Sequence, residues 1–147
     1  MLIKIWNNTY DSMEELVSSM SARARSWSVD NPGQWAPADH YRDYPGSKEN
    51  GHLVLEAAVL MLKRATHPGE FLTAMHLGEG HMEYYEALLD RLEGQGGPIP
   101  KEITKELAFF TLNGSLRETL MNSLLCEAVH SNPKLRARAN DLIEKLK

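Results

Sequence analysis

One short stretch of the chain groups two imidazoles with two carboxylates, namely His76, Glu79, His81 and Glu83. Imidazole and carboxylate groups are common ligands of transition metals, so this stretch is the strongest candidate for a metal site. Helix positions that share a face are three or four residues apart, whereas His76 and His81 are five apart and would diverge by about 140°. A break in the helix at Gly78 and Gly80 would be needed to bring them together. A metal-dependent helical enzyme using His76, Glu79 and His81 is therefore the first alternative function.

Other catalytic patterns are missing from the sequence. It contains no Gly-x-Ser-x-Gly turn, and the glycine-rich residues 94–97 precede Pro98 rather than the Gly-Lys-Ser or Gly-Lys-Thr of a phosphate-binding loop. The single cysteine, Cys126, lies among apolar residues, where a free thiol is usually a small buried side chain. These features favour a protein that is not an enzyme, and no cofactor other than the metal is indicated.

Residues 28–50, here called the aromatic loop, are rich in proline and glycine and contain several large aromatic side chains. A connection of this length without regular structure is often functional. Because Trp, Tyr and Arg supply most of the binding energy at protein interfaces, we predict a partner-binding segment formed by Trp35, Tyr41, Arg42 and Tyr44. The alternative, which is favoured for a long ordered loop of this kind, is an irregular lid in which the same rings cover one end of a helical core.

Apolar residues recur at steps of three and four through the second half of the chain, which is typical of amphipathic helices. The last helix is predicted to begin at Asn132 and Pro133, a good capping residue followed by the residue favoured at the first helical position. Ser12 and Glu15 have the spacing of a capping box, which predicts the start of the first helix.

The connections between these helices are mostly short, which favours antiparallel neighbours in a bundle. We predict a mainly all-α fold, a compact bundle of about six helices in a single domain of residues 1–147. Residues 94–99 form the clearest linker. A kink or break is expected at Gly78 and Gly80, since each glycine costs about 1 kcal/mol relative to alanine inside a helix.

Residues 53–62 are apolar on nearly every side, which is typical of a central, buried helix. Glu56 is the exception, and it either lies at the rim or is buried beside a cation. The stretch is much shorter than the roughly 20 apolar residues needed to span a bilayer. No association with a membrane is therefore expected.

Residues 2–6 carry β-branched and aromatic side chains in partial alternation, which predicts a short strand. A single strand needs a partner. It could form a hairpin with the next residues along the chain, pair with the same strand of a second copy, or not form at all. The second option would make the protein a homo-oligomer.

The chain has 147 residues with a formal net charge of −4, whereas nucleic-acid-binding domains usually carry a strong basic excess. A nucleic-acid partner is therefore not expected. The last helix is locally basic at Lys134, Arg136 and Arg138, and a nucleic-acid-associated regulator is the second alternative. Asp141 and Glu144 lie on the same segment, which favours a solvated face of mixed charge.

The function that the sequence favours is that of a small binding or regulatory protein, which contacts a protein partner through a helical surface and the aromatic loop. The single cysteine and the lack of a signal-peptide pattern fit the reducing cytoplasm. Small domains without catalytic motifs include adaptors and inhibitors, among them virus-encoded inhibitors of host or defence proteins. This last step rests on analogy.

Overall fold

The chain begins with a short β-hairpin, and helices make up most of the structure after it. The computed structural model describes residues 2–30, 39–93 and 122–146. Apart from the helical residues 122–125, the elements in these residues are, in order, β1 (Ile3–Ile5), β2 (Asn8–Tyr10), α1 (Met13–Asp30), α2 (Asp39–Arg42), α3 (Ser47–Arg64), α4 (Pro68–Gly78), α5 (Met82–Leu92), α6 (Glu127–His130) and α7 (Pro133–Leu146). The mainly all-α fold predicted from the sequence is confirmed.

The N-terminal strand pairs with the strand directly after it in the chain. β1 and β2 are antiparallel, with Ile3 opposite Tyr10 and Ile5 opposite Asn8. Both isoleucines are completely buried, because alternate side chains of a strand share one face and this face lies on the helical core. The first of the three options for residues 2–6, a hairpin, is therefore correct.

The predicted starts of the first and last helices are confirmed by their capping hydrogen bonds. At α1, the Glu15 amide donates to the Ser12 hydroxyl oxygen at 3.2 Å, and a Glu15 carboxylate oxygen accepts from the Asp11 amide at 2.6 Å. At α7, the Asn132 side-chain oxygen accepts from the Lys134 amide at 3.0 Å. These bonds satisfy amide groups that have no partner within the helix itself.

α3 is the central helix of the described core and contacts α1, α2, α4, α5 and β1. Its buried side chains follow helical spacing and are Leu53, Val54, Ala57, Ala58, Met61 and Leu62. Glu56 is exposed, so it lies at the rim and is not buried beside a cation. Among the described residues, we find no helix with the length and apolar character needed to cross a bilayer.

The aromatic loop is more regular than the sequence suggested. α1 continues to Asp30, residues 39–42 form α2, and α3 begins at Ser47. The prediction of a structureless connection over residues 28–50 is therefore wrong at both ends and at α2. Gly46 has a φ of 88° and caps the start of α3. The linker predicted at residues 94–99 lies outside the described residues, and the single domain stays a prediction.

Candidate functional site

Two of the four predicted partner-binding side chains are part of the core. Tyr41 and Tyr44 are only 1% and 3% exposed. Neither ring can serve as a surface anchor in this conformation, which supports the lid alternative for these two residues. Arg42 lies between them at the end of α2 and is exposed. Trp35 lies outside the described residues, so its predicted role is not tested.

Burial keeps both tyrosines in the neutral form. It raises the pKa of Tyr41 to about 12, although the guanidinium of Arg23 on α1 acts in the opposite direction. Burial also raises the pKa of Tyr44, and the carboxylate of Glu49 adds to this shift. A buried phenolate would be poorly solvated, so these residues act as apolar packing with a hydroxyl and not as acids or bases at neutral pH.

The aromatic side chain that does reach the surface here is Trp6. It is 42% exposed and lies in the turn between β1 and β2 with a φ of 53°, a left-handed conformation that is unusual for a bulky residue. This conformation costs roughly 1–2 kcal/mol. The indole Nε1 donates a hydrogen bond of 2.7 Å to the backbone carbonyl oxygen of His40. The hairpin thus presents an exposed indole that α2 holds in place.

The His40 ring lies between Trp6 and the buried Tyr41. Its centroid lies 6.3 Å from the Trp6 ring, and it meets the Tyr41 ring edge-on at 4.9 Å. Burial, and then the positive charge of Arg23, lower the pKa of His40, so the imidazole is mainly neutral at pH 7. We call Trp6, His40, Tyr41 and Arg42 the Trp6 corner.

The turn between α4 and α5 contains the predicted metal ligands. α4 ends at Gly78 and α5 begins at Met82, so the predicted break is confirmed. His76 is partly buried in the last turn of α4, while Glu79 and His81 are exposed in the turn. Within residues 2–30, 39–93 and 122–146, no three His, Cys, Asp or Glu side chains come together in a group that could hold a metal ion. The geometry does not support the metal site, which stays a prediction.

The two glycines of this turn have structural explanations. A Cβ atom on Gly78 would lie 2.3 Å from the ring of Tyr84, so the two can pack only because glycine has no side chain. Gly80 has a φ of 91°, and its amide donates to the Tyr85 hydroxyl oxygen at 2.9 Å. The break in the helix is therefore built on a tyrosine pair and does not require a bound metal.

Sequence reasoning missed Trp6 and His40 as site residues. The pattern of residues 2–6 predicts a strand, and the burial of a strand side chain depends on which face meets the core. The useful signal was the pair Asn7 and Asn8, because asparagine favours turns. An aromatic side chain next to a turn is held at the end of a hairpin, where solvent can reach it.

Comparison with known proteins adds no family and no function. No family model matches the chain, and neither a curated protein nor a solved structure gives a significant match. The candidate site is therefore defined by its own geometry: an exposed indole that is hydrogen-bonded to α2, where the His40 ring packs on the buried Tyr41 and Arg42 is exposed.

Proposed function

We propose that this chain is a small, non-enzymatic binding protein that contacts a protein partner at the Trp6 corner. The observation that supports this function is the exposed indole of Trp6, fixed by the bond to the His40 carbonyl in a backbone conformation that costs energy. Strained backbone conformations are concentrated at functional sites, because folding alone does not favour them.

The side chains at the corner are suited to protein recognition. A tryptophan that is already held in place loses little conformational freedom on binding, so more of its contact energy contributes to affinity. Arg42 is an exposed residue at the end of α2, and Trp and Arg are among the most frequent anchor residues of interfaces. Tyr41 is buried and packs edge-on against His40, so of Tyr41, Arg42 and Tyr44 only Arg42 would touch the partner.

The finer features of the function are proposed by analogy and from composition. Regulation or inhibition of the partner would fit a chain without a catalytic motif, and a virus-encoded inhibitor of a host or defence protein is one form that this function could take. A cytoplasmic location fits the single cysteine, Cys126, which is free and partly buried. A nucleic-acid partner is not favoured by the net charge of −4.

Affinity capture with matched variants would test the proposed interface. Trp6→Asn removes the ring and keeps a residue that tolerates positive φ, whereas Glu56→Ala changes an exposed position on α3, outside the corner. Loss of an aromatic anchor costs about 2 kcal/mol or more, so the affinity of the captured partner should fall about thirtyfold or more. Arg42→Ala should weaken binding less, and Glu56→Ala should leave it unchanged.

Two measurements separate lost binding from lost folding. The melting temperature and circular dichroism spectrum of Trp6→Asn should show a folded protein of near-native stability, because the loss of about 1 kcal/mol from the missing indole hydrogen bond is offset by relief of the strain at positive φ. Cross-linking from position 42 should then join this corner to the partner. A reproducible partner that binds Trp6→Asn as tightly as the native chain would rule out the proposed interface.

A further inference from the structure

The start of α4 is capped by a histidine instead of the usual hydroxyl, carboxylate or amide. His67 Nδ1 accepts a hydrogen bond of 3.1 Å from the amide of Gly69, and the side chain of Glu70 accepts one of the same length from the amide of His67. Gly69 is buried, so water cannot readily replace its acceptor. Nδ1 can accept only if it carries no proton, which places the proton of the neutral ring on Nε2.

We propose that His67 is a pH-sensitive cap, and that protonation of its imidazole loosens the junction between α3 and α4. A protonated imidazole has two donors and no acceptor, so the Gly69 amide would lose its partner. Histidine is the side chain that ordinarily changes charge between pH 5 and 8. This device is independent of the proposed function and would exist whichever partner the Trp6 corner binds.

The charged groups around the junction come from four helices. Glu70 on α4 favours a protonated imidazole, but its carboxylate is buried and already accepts from the Thr66 and His67 amides and pairs with Arg25 of α1 at 3.5 Å. Arg91 of α5 is buried and donates to the carbonyl oxygens of Lys63, at 2.6 Å, and of Ala65.

Arg64, at the end of α3, is paired with Glu14 of α1, so the cation and the carboxylate balance each other there. Arg25 and Arg91 oppose a further positive charge at the junction, as does the positive end of the α4 dipole. Protonation of Nδ1 would remove the acceptor of the Gly69 amide. α4 also packs against α1, α3 and α5, so a change at its first turn reaches the core.

His67→Asn is the matched variant for a test. Its amide oxygen can accept from the residue-69 amide at every pH, as Asn132 does in the corresponding Asn-Pro start of α7. His52→Asn is the control, since His52 is an exposed histidine on α3. Hydrogen exchange at Gly69, Glu70 and Phe71, expressed as protection factors, would be compared between pH 8 and pH 5.

Between pH 8 and pH 5, the protection factors of these amides should fall about fivefold more in the native chain and in His52→Asn than in His67→Asn. A factor of about five corresponds to the loss of one helix cap. Equal losses in the native chain and His67→Asn would overturn the inference. Nitrogen NMR of the native chain gives a second test that needs no variant. At pH 8 the His67 proton should lie on Nε2, and a proton found on Nδ1 would also overturn it.

Discussion

Buried tyrosine side chains lie at both the Trp6 corner and the α4–α5 turn. At the turn, the contacts are local: Gly78 packs on Tyr84, and the Gly80 amide binds the Tyr85 hydroxyl. At the corner, Trp6 reaches across 34 positions of the chain to the carbonyl of His40. Local contacts fix a backbone path, whereas the long-range contact also holds an exposed aromatic side chain in place.

This difference separates a structural turn from a candidate interface. The polar side chains of the turn, Glu79 and His81, are exposed, and the glycines beside them are explained by packing. The exposed indole at the corner is not explained by packing, since a smaller residue would close the hairpin with less strain. Features that folding does not require are the better guide to function.

Replacing Tyr41 with alanine is the largest perturbation that we expect from this comparison. The ring is almost completely buried, and deletion of a buried aromatic side chain usually costs about 3–5 kcal/mol. Arg42→Ala, one position along, should change the free energy of unfolding by less than about 0.5 kcal/mol. Urea unfolding measures both. If Tyr41→Ala is as stable as the native chain, the Tyr41 ring is not part of the core and could again be a partner-binding side chain.

Gly78→Ala should give the next largest loss. The added methyl group would overlap the Tyr84 ring, and overpacking of this kind costs about 1–3 kcal/mol. Gly51→Ala is the matched control, because Gly51 lies inside α3 with no atom within 4 Å of the position of a Cβ. This control should stabilise the protein by about 0.5–1 kcal/mol. If urea unfolding shows that both substitutions change the free energy of unfolding in the same direction, close packing at the turn does not explain why position 78 is a glycine.

The stability of the Trp6 corner should fall in acid because of His40. Burial lowers the pKa of His40 in the folded chain, so below the unfolded pKa of about 6.5 the unfolded state binds more protons. The contribution of the neutral His40 to stability is therefore complete above that pH, and it is lost as the pH falls toward the lower pKa of the folded chain. Urea unfolding between pH 8 and pH 5 should show a shallower decline for His40→Gln than for the native chain. Parallel declines would contradict this account.

The sequence predicted those features that depend on neighbouring residues. The caps at Ser12 and Asn132 and the break after Gly78 follow from local hydrogen bonding and backbone freedom, and all three are confirmed. The burial of Tyr41 was one of the two alternatives for the aromatic loop, and local sequence could not decide between them, because the outcome depends on how distant elements pack around α2. Trp6 was missed for the same reason, since its partner lies 34 positions away.

His67 shows a second limit of sequence reasoning. Capping preferences are dominated by Ser, Thr, Asp and Asn, so a histidine before Pro68 predicts only the end of the preceding helix. The structure shows that its ring nitrogen takes the role of an asparagine oxygen. Side chains that can take a role in only one protonation state are hard to recognise from residue type alone.

Zinc should have the smallest effect of all on the native chain. If His76, Glu79 and His81 held the ion, a concentration one hundred times the dissociation constant would stabilise the fold by about 2.7 kcal/mol and raise the melting temperature by several degrees. We expect the native chain to respond to zinc no more than a His76→Gln, His81→Gln double variant, because the described structure brings no third ligand to either histidine. A one-to-one, saturable stabilisation that the double variant loses would instead make the turn a metal site, and the contrast with the Trp6 corner would then disappear.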